Sequence, residues 1–434
     1  MSRNDSHAMF PSMRSGLTAN GSLRRSARLT ALLLALGTAS AGPLIAQDAA
    51  KVARGDARGG LAIRVTWFEC EDPALPARVT KFTFPVACDY DSQEIRSVTP
   101  LRKGCELVED EHGNTTMVYP DPIVISPEAP LYLGSVNDVV LYSRATLKVR
   151  PSRIRSAKTP TKIAERYLAN DAILTLEHPE IAGLAKELMA GAEDPLDIVL
   201  RTWRHVYRSV SYGRVERPNT AAQVLEWGKG QCGEYGKLTI ALLRANGIPA
   251  RGVWCLRAGN TGPAGNDHAW AEAWIGGIGW FPIRPQEAQP SNDVYPLGYH
   301  SYQVVCRPQC GMDELRQVEW ENASCPTGYR GVGFFADVPE GQRKSTIALF
   351  KDIAEDSSSR AARRQLKRAG KAHRAVQPML YWLLTASADE KEGTNAAKAL
   401  VEVCSQKDRR LSIERFVDAS PSVIRARIEA ARTQ

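Results

Sequence analysis

The chain has 434 residues, and its composition, with 43% hydrophobic and 24% charged residues, is that of an ordinary globular protein. This length predicts two to four domains with room for sizeable cores. Beyond the N-terminal segment no apolar stretch is long enough for a transmembrane helix, which argues against an integral membrane protein. Nucleic acid is not expected as a partner, because the basic runs lack interleaved aromatic residues.

The N-terminal residues 1–46 have the three parts of a secretory signal peptide. Arginines at 24–28 precede a short apolar run at 29–37, and small residues at 39–41 form a cleavage site. The apolar run is short for a bilayer span, so an uncleaved membrane anchor is the weaker alternative. We therefore expect a secreted or periplasmic protein, and this location also disfavours nucleic acid as a partner.

Residues 60–150 predict a β-rich N-terminal domain. Apolar residues alternate with polar ones at 61–67 and again at 82–86, and turn signals separate further short runs. Several short strands between turns are typical of a small β-sandwich. The segment contains no catalytic motif, so we interpret it as a spacer or a binding module.

A helix is predicted to begin at Asp194-Pro195, within a domain that we place at 159–345. Asp194 followed by Pro195 is a good helix start, and apolar residues then recur at spacings of three and four up to Val210. The apolar stripe predicts that this helix packs beneath the next one. His205 lies off the stripe and is interpreted as a surface residue.

The stretch GKGQCGEY at 228–235 leads into a second helical pattern that ends at Asn246-Gly247. Cys232 is therefore expected at a helix N-terminus, where unpaired N–H groups and the helix dipole favour a thiolate. A thiolate is the form that attacks carbonyl carbon. Gln231 either donates to an oxyanion or caps the loop, and Glu234 is interpreted as structural because it favours the dipole.

A strand is predicted over the sequence DHAWAEAWI, with His268 at its start. A cysteine at a helix start and a histidine on a following strand make a nucleophile and base pair. Two other histidines, His178 and His300, lack this position at a strand start. Nearby tryptophans are interpreted either as core residues or as aromatic walls for an extended substrate: Trp254, Trp270, Trp274 and Trp280.

These motifs resemble the transglutaminase-like superfamily, which has a papain-type fold. The resemblance covers 159–286 and consists of GQC opening a helix, GIPAR closing it, HAW on the next strand and GW on the one after. It implies a secreted cysteine enzyme that acts on peptide or glutamine amide bonds by hydrolysis or acyl transfer, with Cys232 as nucleophile and His268 as base. The implied partner is a protein or peptide substrate, and no cofactor or metal ion is expected.

The sequence departs from this family at the third catalytic position. The family has an aspartate in the pattern GWxxxDP, whereas the segment here is GWFPIRP, so Arg284 occupies that position. A cation cannot accept the histidine N–H or stabilise an imidazolium. The alternative function is therefore a catalytically weakened transglutaminase-fold protein that acts in binding or scaffolding. The nearest polar residues that could substitute are Gln286, Glu287 and Asp293.

The chain has nine cysteines, which suits an oxidising compartment. With Cys232 kept as a thiol, eight remain for disulfides, in more pairings than the sequence can resolve. Zinc is not expected, because there is no CxxC motif and no nearby pair of histidines. Cys255 is interpreted as a small core residue. We expect one disulfide within each of two groups, namely Cys70, Cys88 and Cys105, and Cys306, Cys310 and Cys325.

The C-terminal third is predicted to change from loops to helices. Residues 291–341 are rich in Pro, Gly and Asn and are expected to form long loops with few strands. Residues 346–434 predict a small helical domain whose paired helices weakly resemble HEAT-type repeats. Residues 360–434 hold 16 Lys+Arg against 8 Asp+Glu, an excess equal to the whole formal charge of +8. This basic face is either simply solvated or contacts an anionic cell-envelope surface.

The predicted fold class is therefore α+β. A papain-like transglutaminase core is preceded by a β-sandwich-like domain and followed by a small α-helical, HEAT-like domain.

Overall fold

The computed structural model describes residues 54–433 with gaps, and the predicted leader lies outside it. The described ranges are 54–70, 77–90, 93–109, 114–125, 131–144, 146–148, 158–216, 219–257, 264–265, 268–288, 294–296, 303–310, 317–320, 327–355, 364, 376–386, 390–404, 410–420 and 422–433. Within these ranges no helix is both long and apolar enough to cross a bilayer.

The first eight strands come from the region predicted to be β-rich. The longest of them, β1 and β7, are antiparallel neighbours, and Ile63 of β1 lies opposite Val136 of β7 with both side chains buried. The strands are β1 (Arg54–Cys70), β2 (Ala77–Pro85), β3 (Gln93–Pro100), β4 (Glu106–Glu109), β5 (Thr115–Tyr119), β6 (Ile123–Ile125), β7 (Leu131–Arg144) and β8 (Thr146–Lys148).

Five helices and two short strands follow. The helix predicted from Asp194-Pro195 is confirmed: the Asp194 carboxylate accepts the Asp197 N–H at 2.9 Å, and Pro195 occupies the first turn. The elements are α1 (Thr161–Tyr167), α2 (Pro179–Met189), α3 (Pro195–Ser209), β9 (Ser211–Tyr212), α4 (Ala221–Trp227), β10 (Lys229–Gly230) and α5 (Cys232–Ala245).

An antiparallel sheet with the strand order β14-β13-β11-β16 lies beside α5. Alternate residues of β13, beginning with Ala269, share one buried cluster with α5, so this helix covers one face of the sheet. The next strands are β11 (Ala250–Arg257), β12 (Ala264–Gly265), β13 (His268–Ile275), β14 (Gly279–Ile283), β15 (Val294–Pro296) and β16 (Gln303–Cys310).

Two strands and five helices complete the described chain. The apolar side chains of the helices pack against β1 and β18, and the Phe416 ring stacks on Phe334 at 5.6 Å. The elements are β17 (Gln317–Trp320), β18 (Thr327–Ala336), α6 (Glu340–Glu355), α7 (Val376–Ala386), α8 (Glu390–Cys404), α9 (Arg410–Ala419) and α10 (Ser422–Arg432).

Two further sheets join strands from distant parts of the sequence. One has the order β12-β18-β1-β7-β3, and the other has the order β17-β2-β5-β4 with β6 beside β2. The expectation of mostly loops at 291–341 is therefore wrong for four strands, because β1, β2, β8 and β11 supply pairing partners that the local composition does not reveal. The architecture is mixed α/β, and the β-sandwich, the HEAT-like pairing and the domain division stay predictions.

Candidate active site

The candidate nucleophile opens the most buried helix of the central region. Cys232 is the first residue of α5, and its side chain is half-buried against the core that α5 forms with α2, α3 and β13. The preceding helix α4 ends at Gly228, which adopts a left-handed conformation with φ 55°. A sharp turn and a new helix start are thereby packed into four residues, and the backbone N–H groups of the first turn of α5 lie beside the thiol.

Buried polar contacts hold this helix start in place. Glu234, 2% exposed, accepts the Gln231 N–H at 2.8 Å, so its carboxylate caps the start of the helix. Asn219 donates to the other Glu234 oxygen at 3.4 Å, and the buried Lys237 ammonium donates to Asn219 Oδ1 at 2.6 Å. A Cβ on Gly230 would come within 2.4 Å of the Glu234 Cβ, so the loop reaches this packing only with glycine there.

The loop before Cys232 is also tied to the end of α3. Ser211 of β9 donates its N–H to the Gly228 carbonyl at 2.8 Å, and the Gly213 N–H donates to the Gly230 carbonyl at 2.9 Å. The hydroxyl of the buried Tyr235 donates to the Val210 carbonyl. Hydrogen bonds therefore fix the backbone just before Cys232 and the Tyr235 side chain just after it.

The candidate base lies at the start of a strand, as predicted. His268 is the first residue of β13, lies opposite Cys255 on β11, and is partly exposed. Its ring centroid is 6.2 Å from that of Trp270, which is fully buried. Because α5 packs on β13, the two elements that begin with Cys232 and His268 are neighbours in the fold.

Arg284 follows directly after β14 and is largely buried. Its guanidinium lies 3.4 Å from the Glu287 carboxylate, and the side chains are 13% and 56% exposed, respectively. The Glu287 N–H donates to the Arg284 carbonyl at 2.9 Å, and Trp203 Nε1 donates to the Glu287 carbonyl at 2.8 Å. Glu287, one of the three predicted substitutes, is therefore engaged with Arg284. Asp293 lies outside the described residues.

The sheet that carries His268 contains a buried ion pair that sequence reasoning missed. Arg251 donates to Glu272 at 2.8 Å, and Glu272 is fully buried. Tyr90, from far earlier in the chain, donates its hydroxyl to the same carboxylate. The Arg251 guanidinium also lies 3.9 Å from the Trp280 ring centroid, a cation–π geometry. The sequence signal for this ion pair was the glutamate within the otherwise apolar strand HAWAEAW, because a buried carboxylate needs a cationic partner.

Electrostatics in this pair favour the charged arginine. Burial lowers the pKa of Arg251, but the Glu272 carboxylate, together with Tyr90 and Tyr167, more than offsets this and raises the pKa above its ordinary value. Arg251 therefore stays charged, and its bonds to Glu272 fix β11 to β13 beside the start of the candidate site.

The structure describes only some of the other cysteines and histidines. Among the cysteine side chains that the structure describes, no disulfide is formed, and the predicted partners Cys70, Cys306, Cys310 and Cys325 lie outside that set. Cys255 is buried, as predicted. His178 precedes α2 and is exposed, and His300 is not described. His205 is half-buried on the side of α3 that faces Glu187 and Leu188 of α2.

The helix that begins with Cys232 packs on an antiparallel sheet in which one strand begins with His268. Residues 182–285 match the sequence model of the transglutaminase-like superfamily. The chain thus contains the core predicted from its motifs, and the match lies within the predicted stretch.

Comparison with known proteins gives relatives of this core. A curated relative, protein-glutamine gamma-glutamyltransferase from Pseudomonas aeruginosa, is 29% identical over an alignment of 121 residues that covers 25% of this chain. Only 18% of that relative's length is covered. The enzyme activity in its name is stated for that relative and not for this chain.

Solved structures similar to the chain include a candidate protease, a periplasmic domain and a transglutaminase. A candidate cysteine protease from Cytophaga hutchinsonii is 18% identical, with 66% of this chain and 94% of that chain covered and a TM-score of 0.46. The periplasmic domain of TgpA from Pseudomonas aeruginosa is 18% identical, with 52% and 87% covered and a TM-score of 0.29. Red sea bream transglutaminase is 12% identical, with 58% and 53% covered and a TM-score of 0.26.

Proposed function

We propose that this protein is a cysteine-dependent enzyme that cleaves an amide bond of a peptide or of a glutamine side chain and transfers the acyl group to water or to an amine. The observation that carries the proposal is the position of Cys232, half-buried as the first residue of α5, on the helix that packs against the His268 strand. A thiol at a helix start is activated by the dipole and by unpaired N–H groups.

The chemistry follows from these two side chains. The Cys232 thiolate attacks the amide carbonyl carbon, and backbone N–H groups at the start of α5 stabilise the resulting oxyanion. Protonated His268 gives its proton to the leaving amine or ammonia as the C–N bond breaks, which leaves a thioester on Cys232. Water or an amine then attacks the thioester, His268 accepts its proton, and the thiolate leaves. Hydrolysis and transamidation share these steps and differ only in the acceptor.

A second candidate function is favoured by Arg284. The guanidinium and its ion pair with Glu287 lie where the resemblance expects a carboxylate. Without a carboxylate to hold the imidazole, turnover falls, by about 10⁴-fold when the orienting member of a serine triad is lost. A transglutaminase-fold protein that binds peptides or scaffolds partners with little turnover is therefore the alternative.

Alkylation of the thiol tests the nucleophile. An ordinary thiol is almost entirely protonated at pH 6, whereas a thiolate at a helix start is alkylated there. Iodoacetamide should label Cys232 rapidly at pH 6, His268→Ala should slow the labelling, and Cys105→Ser should leave it unchanged as the control. Peptide mass spectrometry identifies the labelled cysteine. Labelling of Cys232 no faster than Cys105 across the pH range would remove the enzyme proposal.

Turnover on amide substrates separates the two candidates. Ammonia release from glutamine-containing peptides, with and without a primary amine, measures hydrolysis and transamidation, and cleavage of the peptides measures protease activity. Cys232→Ser should abolish whichever activity is found, and His268→Ala should reduce it by about 10²–10⁴-fold. Binding of peptides with no turnover in the parent or in Arg284→Asp would favour the scaffold.

Arg284→Asp is the direct test of the third position. If the arginine weakens a catalyst, the aspartate should raise turnover while the labelling rate of Cys232 changes little. Arg284→Gln is the matched control, because it removes the cation without adding a carboxylate. A fall in turnover in both variants would show that Arg284 itself contributes to the reaction.

We also propose that the protein is exported, on the basis of the leader pattern at 1–46. N-terminal sequencing of the protein from the producing cells should give a start near residue 42 or 47. Recovery of only the uncleaved chain would contradict this.

An anionic cell-envelope surface remains the proposed partner of the basic C-terminal region. The corresponding measurement is co-sedimentation of the protein with the envelope, which should be lost at high salt.

A further inference from the structure

A buried lysine lies close to the start of the cysteine helix, and the proposed reaction does not use it. Lys237, in the second turn of α5, is 6% exposed. Its ammonium donates to Asn219 Oδ1 at 2.6 Å and also to the Asn219 carbonyl. Burial of an ammonium is costly unless an opposite charge lies nearby, so this position calls for a counter-charge.

The counter-charge is the carboxylate that caps the same helix. Glu234, three residues before Lys237, is 2% exposed, and Asn219 Nδ2 donates to its Oε1 at 3.4 Å. The Asn219 amide, itself buried, therefore joins the ammonium on one side to the carboxylate on the other. Side chains in a helix lean toward its N-terminus, so the Lys237 ammonium lies toward the first turn, which contains Cys232. A negative and a positive charge are thus buried together beside the candidate nucleophile.

The Glu234 carboxylate has two opposite effects on Cys232. It fixes the helix start by accepting the Gln231 N–H at 2.8 Å, and this start presents its backbone N–H groups to the thiol. Its negative charge, however, lies only two residues after the cysteine, and a like charge disfavours a thiolate. A buried cation beside the carboxylate offsets that repulsion without removing the cap.

We propose that Lys237 is a positioning residue: it neutralises the Glu234 carboxylate, and Cys232 can then ionise beside it. The inference rests on the proposed function because it takes Cys232 as the nucleophile. A charge buried in the protein interior acts strongly on its neighbours, whereas water and salt screen a charge at the surface. The charges that matter for the thiol are therefore the buried ones.

Other charged groups around this helix start are screened or lie elsewhere. The buried Arg251–Glu272 pair lies on the far face of the sheet, because Ala271, next to Glu272 on β13, shares the buried cluster of α5. The partly exposed His268 is the candidate base itself. Between residues 206 and 230, every charged side chain that the structure describes is exposed, namely Arg208, Arg214, Glu216, Glu226 and Lys229.

The pH profile of Cys232 alkylation tests this charge balance. Iodoacetamide labels the full chain between about pH 4 and 10, peptide mass spectrometry follows Cys232, and the midpoint of the profile is compared among variants. Lys237→Gln leaves the carboxylate without its cation and should raise the midpoint by about one pH unit, or about tenfold in rate below it. Glu234→Gln leaves the cation alone and should lower the midpoint by about as much. The double variant should return to within about 0.3 pH unit of the parent.

The opposite signs separate an electrostatic role from a structural one, because a loosened helix start would slow labelling in both single variants. Lys229→Gln is the matched control, since it removes an exposed cation just before the cysteine, and it should move the midpoint by less than about 0.3 pH unit. Shifts of the same sign in Lys237→Gln and Glu234→Gln, or shifts no larger than that of the control, would overturn the proposal.

Two further outcomes are decided by the same profiles. If Lys237→Gln does not fold, the fall expected in Glu234→Gln decides alone, because its amide oxygen can still accept the Gln231 N–H; an unchanged or raised midpoint there overturns the proposal. A parent midpoint near about 8.5, that of an ordinary thiol, would remove the enzyme proposal. The charge balance would still be supported in that case by opposite shifts in the two single variants, so the two proposals can fail separately.

Discussion

Removing the charge of Glu272 should destabilise the protein more than any surface substitution. The Glu272 side chain is fully buried, and it receives hydrogen bonds from Arg251, which is 6% exposed, and from the Tyr90 hydroxyl. In Glu272→Gln, the guanidinium stays buried without its counter-charge. Breaking one side of a buried pair in this way costs about 3–5 kcal/mol.

The same geometry predicts two graded companions. Tyr90→Phe removes one hydrogen bond to the Glu272 carboxylate, which keeps its bond to Arg251. The loss of unfolding free energy should therefore be about 1.5–3 kcal/mol. The double variant Arg251→Met, Glu272→Leu leaves no unpaired charge and should recover at least half of the loss of Glu272→Gln.

Urea unfolding followed by tryptophan fluorescence measures these changes. With a slope of about 3 kcal/mol per molar urea, Glu272→Gln should lower the midpoint by roughly 1–1.7 M. Glu414→Gln is the control: its half-exposed pair with Arg432 contributes less than about 1 kcal/mol. Equal midpoints for Glu272→Gln and Glu414→Gln would refute the reasoning, because they would mean that burial of the pair adds nothing.

Three further predictions concern the central region. Gly230→Ala should destabilise the protein and slow Cys232 labelling, because the new Cβ would lie 2.4 Å from the Glu234 Cβ. Gly183→Ala is the matched variant, because Gly183 lies within α2 with open space around it. It should stabilise the protein by up to about 1 kcal/mol in the same urea assay. Asp194→Ala should cost about 1 kcal/mol through loss of the α3 cap, measured in the same way. Because the pKa of His205 is lowered in the fold, the unfolded chain binds more protons below about pH 6.5, so stability should fall as pH falls through that value. His205→Gln should flatten this part of the stability profile.

Local signals predicted the elements that carry the candidate site. The apolar period of α3 and its start at Asp194-Pro195 depend only on neighbouring residues, and the structure has both. The helix that begins at Cys232 and the strand that begins at His268 were likewise predicted from glycine turns and alternation. These features depend on short-range physics, which a sequence displays directly.

Long-range pairings could not be predicted in this way. β1 pairs with β18, with Ile63 opposite Phe334. No local sequence pattern specifies which distant strand forms the backbone hydrogen bonds along a given strand edge. Tyr90 meets Glu272 across 182 positions. The half-burial of His205 depends on how α2 packs against α3, whereas its place on the helical wheel indicated only that it leaves the apolar stripe.

The contacts that hold the helix start at Cys232 and the contacts that hold Arg284 come from different parts of the fold. The helix start at Cys232 is held by the Glu234 carboxylate and by the Tyr235 bond to Val210, within the segment that runs from the end of α3 into α5. Arg284 is tied through Glu287 to the turn after β14. Thiolate formation depends on the first set of contacts, whereas proton transfer also depends on what orients His268. A reactive Cys232 together with slow amide turnover is therefore the combination that Arg284 should produce, and an unreactive thiol would instead mean that the helix start had lost its activating role.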